Sequence, residues 1–129
     1  MREHCLFILL CASFALTACK KGNTVPRLEG TYTGTLTSSS IDATSGAVKV
    51  IITANTYQAT LNTFRTIESH GTYTINNSMI TFKDSSIHTA DFDWGLLLNG
   101  VYAKSQDGDV LTLSNIGKGY FYTYTLKKQ

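Results

Sequence analysis

From Leu28 onward, apolar and polar residues alternate with a period of two, which sets successive side chains on opposite faces of a strand. In Gly30-Thr31-Tyr32-Thr33-Gly34-Thr35-Leu36 the threonines hold one face and Tyr32, Gly34 and Leu36 the other. Val48, Val50, Ile52 and Ala54 line one side of the next run, and Tyr57, Ala59 and Leu61 then oppose Gln58, Thr60 and Asn62. Tyr73 and Ile75 alternate with Thr72 and Thr74, and Ile80 and Phe82 with Thr81 and Lys83. Leu96 to Lys104 reads as a more apolar strand, and Leu111 and Leu113 straddle Thr112. Gly119 to Lys127 puts Tyr120, Tyr122, Tyr124 and Leu126 on one side. The pattern therefore predicts eight strands, in a composition rich in the β-branched and aromatic residues that pack well on a pleated surface. No segment beyond residue 19 carries a 3.6-residue period or a helix cap.

Turn chemistry separates most of these runs. Ala54-Asn55 makes a tight link, and Asn76-Asn77 suits a type I′ hairpin because Asn tolerates positive φ. Asp107-Gly108 is the strongest hairpin signal in the chain. Asn115 to Gly119 reads as a loop, and the longer connections are Ser38 to Gly46 and Asp84 to Gly95. Sequential strands on short links predict an antiparallel meander. One apolar face per strand predicts closure around a single core, as an eight-stranded barrel filled by side chains or holding one small ligand. An open β-sandwich is the competing layout. Gly30 and Gly34 favour the barrel, since glycine within a strand marks a sharp bend or a close backbone approach.

The first residues read differently. Met1 to His4 carries Arg2, and an apolar stretch runs from Cys5 to Leu16, broken by Ser13. It is too short to span a bilayer, which takes about 20 residues, and it fits the h-region of a secretory signal peptide. Leu16-Thr17-Ala18-Cys19 resembles the lipobox of bacterial lipoproteins. That resemblance implies cleavage after residue 18 and acylation of Cys19; the alternative is an ordinary secretory signal with a chance Cys. Residues 1–18 are then the signal peptide, 19–27 the lipidated Cys with a polar tether containing Pro26, and 28–129 the barrel domain. Removing 18 of 129 residues leaves 111, enough to bury about 65% of the unfolded surface. Cys5 and Cys11 leave with the signal, so no thiol remains for a disulfide, a metal or a nucleophile. Lys20 and Lys21 suit anionic headgroups beside the anchor. No Asp follows Cys19 and no acidic run follows it; among lipoproteins this looks like outer-membrane sorting, facing the periplasm.

Charge narrows the function classes. With 11 Lys+Arg against 9 Asp+Glu the net charge is +2, without the basic excess of a nucleic-acid binder. A hydrophobic content of 43% excludes an acidic disordered tail. One domain fits the length.

A wider resemblance follows from the strands themselves. Leu28-Glu29-Gly30-Thr31-Tyr32-Thr33-Gly34 resembles the opening strand of lipocalin-like barrels, and Gly71-Thr72-Tyr73-Thr74-Ile75 with Ile80-Thr81-Phe82 their central hairpin. Leu98-Asn99-Gly100-Val101-Tyr102, then Asp107-Gly108-Asp109-Val110-Leu111-Thr112-Leu113, resembles their later strands, and Tyr124-Thr125-Leu126-Lys127-Lys128 the closing one. The chain is thus similar to small bacterial lipoproteins with a lipocalin-like domain. The resemblance implies a barrel that holds a small hydrophobic ligand.

Candidate chemistry is sparse. His70 and His88 are separated, and a metal site wants three or four convergent ligands; Glu68 and His70 share a strand face. Asp91 and Asp93 sit in the longest loop beside His88 and Trp94. They read either as a carboxylate cluster for a cation or acid–base work or as a solvated loop with turn-forming Asp. Ser38-Ser39-Ser40 lacks an adjacent base, and Asp107-Gly108-Asp109 is the hairpin itself. The aromatics are the strongest set: Tyr32, Tyr57, Tyr73, Phe82, Tyr102 and Tyr122 occupy the apolar register, and Trp94 ends the long loop where it could cover a barrel mouth. They read as pocket walls or simply as core. The expectation is a monomeric, non-enzymatic protein without cofactor or metal, held to the membrane through Cys19. Its partner is a small apolar ligand at those seven residues or, with a filled core, another envelope protein or an inhibited enzyme.

Overall fold

The computed structural model describes residues 27–39, 45–89, 94–117 and 121–129, with the backbone alone of Trp94. Eight strands form one closed barrel in sequence order: β1 (Gly30–Ser38), β2 (Gly46–Ile52), β3 (Thr56–Asn62), β4 (Thr66–Asn76), β5 (Met79–Asp84), β6 (Gly100–Asp107), β7 (Val110–Asn115) and β8 (Tyr122–Lys128). Every neighbouring pair is antiparallel, and β1 closes on β8 with Gly34 opposite Leu126. Closure excludes the sandwich and leaves no unpaired edge.

The registers fix the width. A path from Tyr32 to Val50, Ala59 and Ser69, carried on through the registers of β5 to β8, returns to β1 twelve residues further along. A stagger larger than the strand number tilts the strands steeply and widens the barrel. Large side chains must then fill it. The inward positions supply them: Tyr32, Leu36, Val50, Ile52, Tyr57, Leu61, Ile80, Phe82, Tyr102, Leu111, Leu113, Tyr124 and Leu126 are buried. The outward positions Thr33, Thr35, Lys49, Gln58, Thr72 and Thr74 are exposed.

Four local expectations need correction. The strand expected from Leu96 begins only at Gly100, because Trp94–Leu96 forms a 3-10 turn and Leu96, Leu97 and Leu98 fold into the core instead. Ala54 is exposed beyond the end of β2, in the turn where Thr53 N–H donates to Thr56 O. The β4–β5 turn is Asn77-Ser78 rather than Asn76-Asn77, since Asn76 pairs with Met79. Likewise Asp107 pairs with Val110, so Gly108-Asp109 makes the β6–β7 turn. Positive φ falls on Asn77 (53°) and Gly108 (56°) but not on the residue after either, so neither turn is type I′.

Candidate functional site

Six of the seven aromatic candidates converge on the barrel interior; the side chain of the seventh, Trp94, lies outside the described residues. Tyr32, Tyr57, Phe82 and Tyr102 are buried, while Tyr73 and Tyr122 are half-buried and pack on the core. The rings interlock. Phe82 meets Tyr57 edge-on at 4.8 Å between centroids, Tyr102 edge-on at 5.8 Å and Tyr73 at 6.2 Å. Tyr102 in turn meets Tyr124 at 5.8 Å. These are the separations of packed aromatic pairs, so each ring occupies the space beside the next.

The β5–β6 connection completes the filling. Its Leu96, Leu97 and Leu98 are 2–3% exposed, and two tyrosines tie its backbone down. Tyr57 Oη–H donates to Leu98 O at 2.6 Å and Tyr102 Oη–H to Leu97 O at 3.5 Å. Tyr32 Oη–H donates to Leu28 O at 2.8 Å, and Tyr73 Oη–H to Thr53 O at 2.8 Å. Tyr124 Oη is buried without a hydrogen-bond partner among the described residues. Burial raises the pKa of all five phenols, Tyr102 up to about 12 and Tyr57 and Tyr124 well above the ordinary value. Tyr124 stood in the inward register of the sequence; what singles it out is the fold, which brings it against Tyr102.

A second cluster sits where β4 meets the end of β5. Asp84 and His88 form a buried hydrogen-bonded pair, Nε2 to Oδ2 at 2.8 Å, with side chains 7% and 6% exposed. Asp84 Oδ1 accepts from Ser86 Oγ at 2.7 Å and from the N–H groups of Ser86 and His70, both at 3.2 Å. Burial pushes the Asp84 carboxyl up, but the hydrogen bonds from Ser86, His88 and the His70 backbone outweigh it and hold the pKa below the usual range. An ionised carboxylate only accepts. Ser86 Oγ–H then points at Asp84, while Ser86 Oγ accepts from the His70 backbone N–H at 2.8 Å and lies 3.2 Å from His70 Nδ1. Glu68 and His70 do share a face of β4, the outer one.

Two shallow depressions adjoin there. One of about 380 Å³ is lined by Gln58, Ala59, Glu68, Ser69 and His70. The other, about 220 Å³, is bordered by Thr56, Gln58, His70, Thr72 and Ser85, with Tyr57 and Gly71. A third, about 570 Å³, lies on the outer wall between Lys49 and Lys127, with Thr33, Thr35 and Gln129 along it. Of the aromatic candidates only Tyr57 borders one of the three. Among the described residues no three His, Cys, Asp or Glu are grouped to hold a metal ion. Asp84 and Ser86 were not singled out by sequence; the His88 four residues after Asp84 was the available signal. Cys19, Lys20, Lys21, Ser40, Asp91, Asp93 and Tyr120 lie outside the described residues. Comparison with family models, with curated proteins and with solved structures finds no match to this chain.

Proposed function

We propose that this is a lipid-anchored envelope protein of the lipocalin-like lipoprotein kind, exported by residues 1–18, acylated at Cys19 and facing the periplasm from the outer membrane. It works as a non-enzymatic interaction module. The observation that carries this reading is the filled interior. Phe82 touches Tyr57, Tyr73 and Tyr102, and the leucine-rich connection takes the space a ligand would need. A barrel packed in this way offers its partners loops and an outer wall.

Native mass spectrometry of the mature chain, made in its own envelope, tests the filled core. The bare polypeptide mass is expected, and a discrete extra mass of a few hundred daltons on a noncovalent adduct overturns it. The anchor is tested separately, by the membrane fractionation and mass of a Cys19→Ser variant. Loss of the acyl mass is expected. Unchanged attachment at unchanged mass removes the lipobox reading.

One observation favours a second reading, a small apolar ligand with a polar head. Tyr124 Oη is buried without a close hydrogen-bond partner, in ring contact with Tyr102. A ligand displacing Leu96–Leu98 would inherit the donors of Tyr57 and Tyr102 and could satisfy Tyr124. The same spectrum decides between the two.

A further inference from the structure

Six large apolar side chains among the described residues are exposed: Phe64, Ile87, Val101, Val110, Ile116 and Phe121. Val101 and Val110 lie on the outer wall and are only 40% and 37% exposed. The other four share one rim. In an up-and-down barrel the β1–β2, β3–β4, β5–β6 and β7–β8 connections gather at one end, and the remaining hairpins gather with the start of β1 at the other. Phe64 belongs to the β3–β4 turn, Ile87 to the β5–β6 connection, and Ile116 and Phe121 to the β7–β8 connection. Their exposures are 80, 100, 55 and 63%. The turns at the opposite rim, Thr53-Ala54-Asn55, Asn77-Ser78 and Gly108-Asp109, carry no large apolar side chain.

We propose that the apolar rim is a membrane-contacting surface, seated in the headgroup–acyl boundary of the bilayer that holds the lipid anchor. The proposal rests on the anchored reading above. Three features select a bilayer over a protein. The tips come from three separate connections round a barrel mouth. A rigid partner needs a continuous matched area of roughly 800 Å² on each side, whereas a fluid bilayer closes round separate tips. Beside Phe64, the Arg65 guanidinium lies 5.0 Å from the ring centroid, which lets the ring enter the acyl region while the charge stays among headgroups. The third feature is the reach of the chain before the barrel. It enters at Leu28, on the polar rim, and eight residues from Lys20 to Arg27 extend to about 28 Å. The longest strand, β4, has 11 residues, which at a tilt near 45° rise about 26 Å. Fully extended, the tether is as long as the strands are tall, so the far rim is within reach of the bilayer that holds Cys19. Acyl chains and rim tips then act as two attachment signals, the combination that gives stable peripheral binding.

The test uses the mature chain with Cys19→Ser, which carries no lipid, and phosphatidylcholine vesicles in a flotation assay. The unlipidated chain is expected to float with the vesicles, and the triple variant Phe64→Ser, Ile87→Ser, Phe121→Ser to bind at least tenfold more weakly with an unchanged melting curve. Absence of flotation at millimolar lipid, or equal flotation of the triple variant, overturns the proposal. A Phe64→Trp, Trp94→Phe chain gives an independent readout: blue-shifted emission on adding vesicles is expected, and unshifted emission counts against it. Sedimentation without vesicles reads the competing occupant, since a dimer abolished by the same three substitutions assigns the rim to a second copy. Failure of the anchored reading shows elsewhere, as missing acyl mass on Cys19 in cells.

Discussion

Gly34 gives the sharpest test of how tightly this barrel closes. It sits in the inward register of β1, between Val48 of β2 and Leu126 of β8. A Cβ built at Gly34 would lie 1.8 Å from Thr125 O, 2.8 Å from Thr125 C and 2.9 Å from Leu126 Cα. All three are backbone atoms, so no rotamer change relieves the clash. Moving the oxygen out to an ordinary contact distance of about 3.2 Å means parting β1 from β8 by about 1.4 Å, which breaks ladder hydrogen bonds of normal length. Two such bonds at about 1 kcal/mol each, with overpacking of about 1–3 kcal/mol, give about 3–5 kcal/mol for Gly34→Ala. That is a large fraction of the roughly 5–15 kcal/mol that holds a domain together. Gly108→Ala is the internal control. Gly108 has φ +56° with nothing near its Cβ direction, so only the backbone preference is lost, about 1 kcal/mol. Urea unfolding followed by circular dichroism measures both. If Gly34→Ala costs no more than Gly108→Ala, the β1–β8 seam is not closed in the way described.

Other expectations are equally direct. Asp84→Asn should cost more than His88→Ala, about 3 kcal/mol or above against about 2, because an amide nitrogen would face donors that now converge on two carboxylate oxygens; urea midpoints of the two variants check the order. The Asp84 pKa is lowered on folding, so its contribution is present above the unfolded value of about 3.9 and lost as pH falls through the folded one. The acid limb of a stability–pH curve should therefore shift in Asp84→Asn relative to the parent, and an unshifted limb counts against the network. At the other end, Tyr57, Tyr102 and Tyr124 have raised values. Their neutral forms stabilise the fold fully below about pH 10, and that stability is lost as pH rises through the folded values. Absorbance at 295 nm should show the buried phenols ionising only together with unfolding. Tyr57→Phe should cost about 1 kcal/mol, since Leu98 O loses its donor, whereas Tyr124→Phe should be neutral or stabilising because its hydroxyl is unpaired. Thermal melts of the pair reverse the argument if Tyr124→Phe is the worse.

Much of the barrel was legible because side-chain period and turn chemistry agree along the chain. Tyr32, Val50, Tyr57, Phe82 and Leu126 all fall on the inner face that alternation assigns them. The exception is Leu96–Leu98. Three consecutive leucines read as a buried strand, yet a 3-10 turn ending at Leu96 and a bend through Leu97 and Leu98 bury the same side chains. The hydroxyl donor of Tyr57, 41 residues away in sequence, takes the Leu98 carbonyl at 2.6 Å and makes the turn the better solution. The Asp84–Ser86–His70 cluster was illegible for a related reason. It joins β4 to residues just past β5, and alternation says nothing about which polar groups meet across a register. Both misses lie in the same connection, where tertiary hydrogen bonds rather than periodicity choose the backbone path.

That connection also links the width of the barrel to the way it is closed. A stagger of twelve makes an interior wider than aliphatic side chains alone would fill. Rings fill its middle, but a phenol brings a hydroxyl that needs an acceptor when buried. Strand carbonyls are already spent in the ladders. The acceptors therefore come from backbone that is not part of a ladder: Leu28 before β1, Thr53 in the β2–β3 turn, and Leu97 and Leu98 in the connection. The leucines are thus drawn inward by two forces at once, their own burial and the demand of Tyr57 and Tyr102 for carbonyl oxygens. Tyr124 is the phenol left over once those carbonyls are taken. Filling the interior and closing the barrel end are one event on this account, which is why a change that frees the connection, such as loss of the Asp84–His88 pair at its start, should loosen the aromatic core as well as the rim.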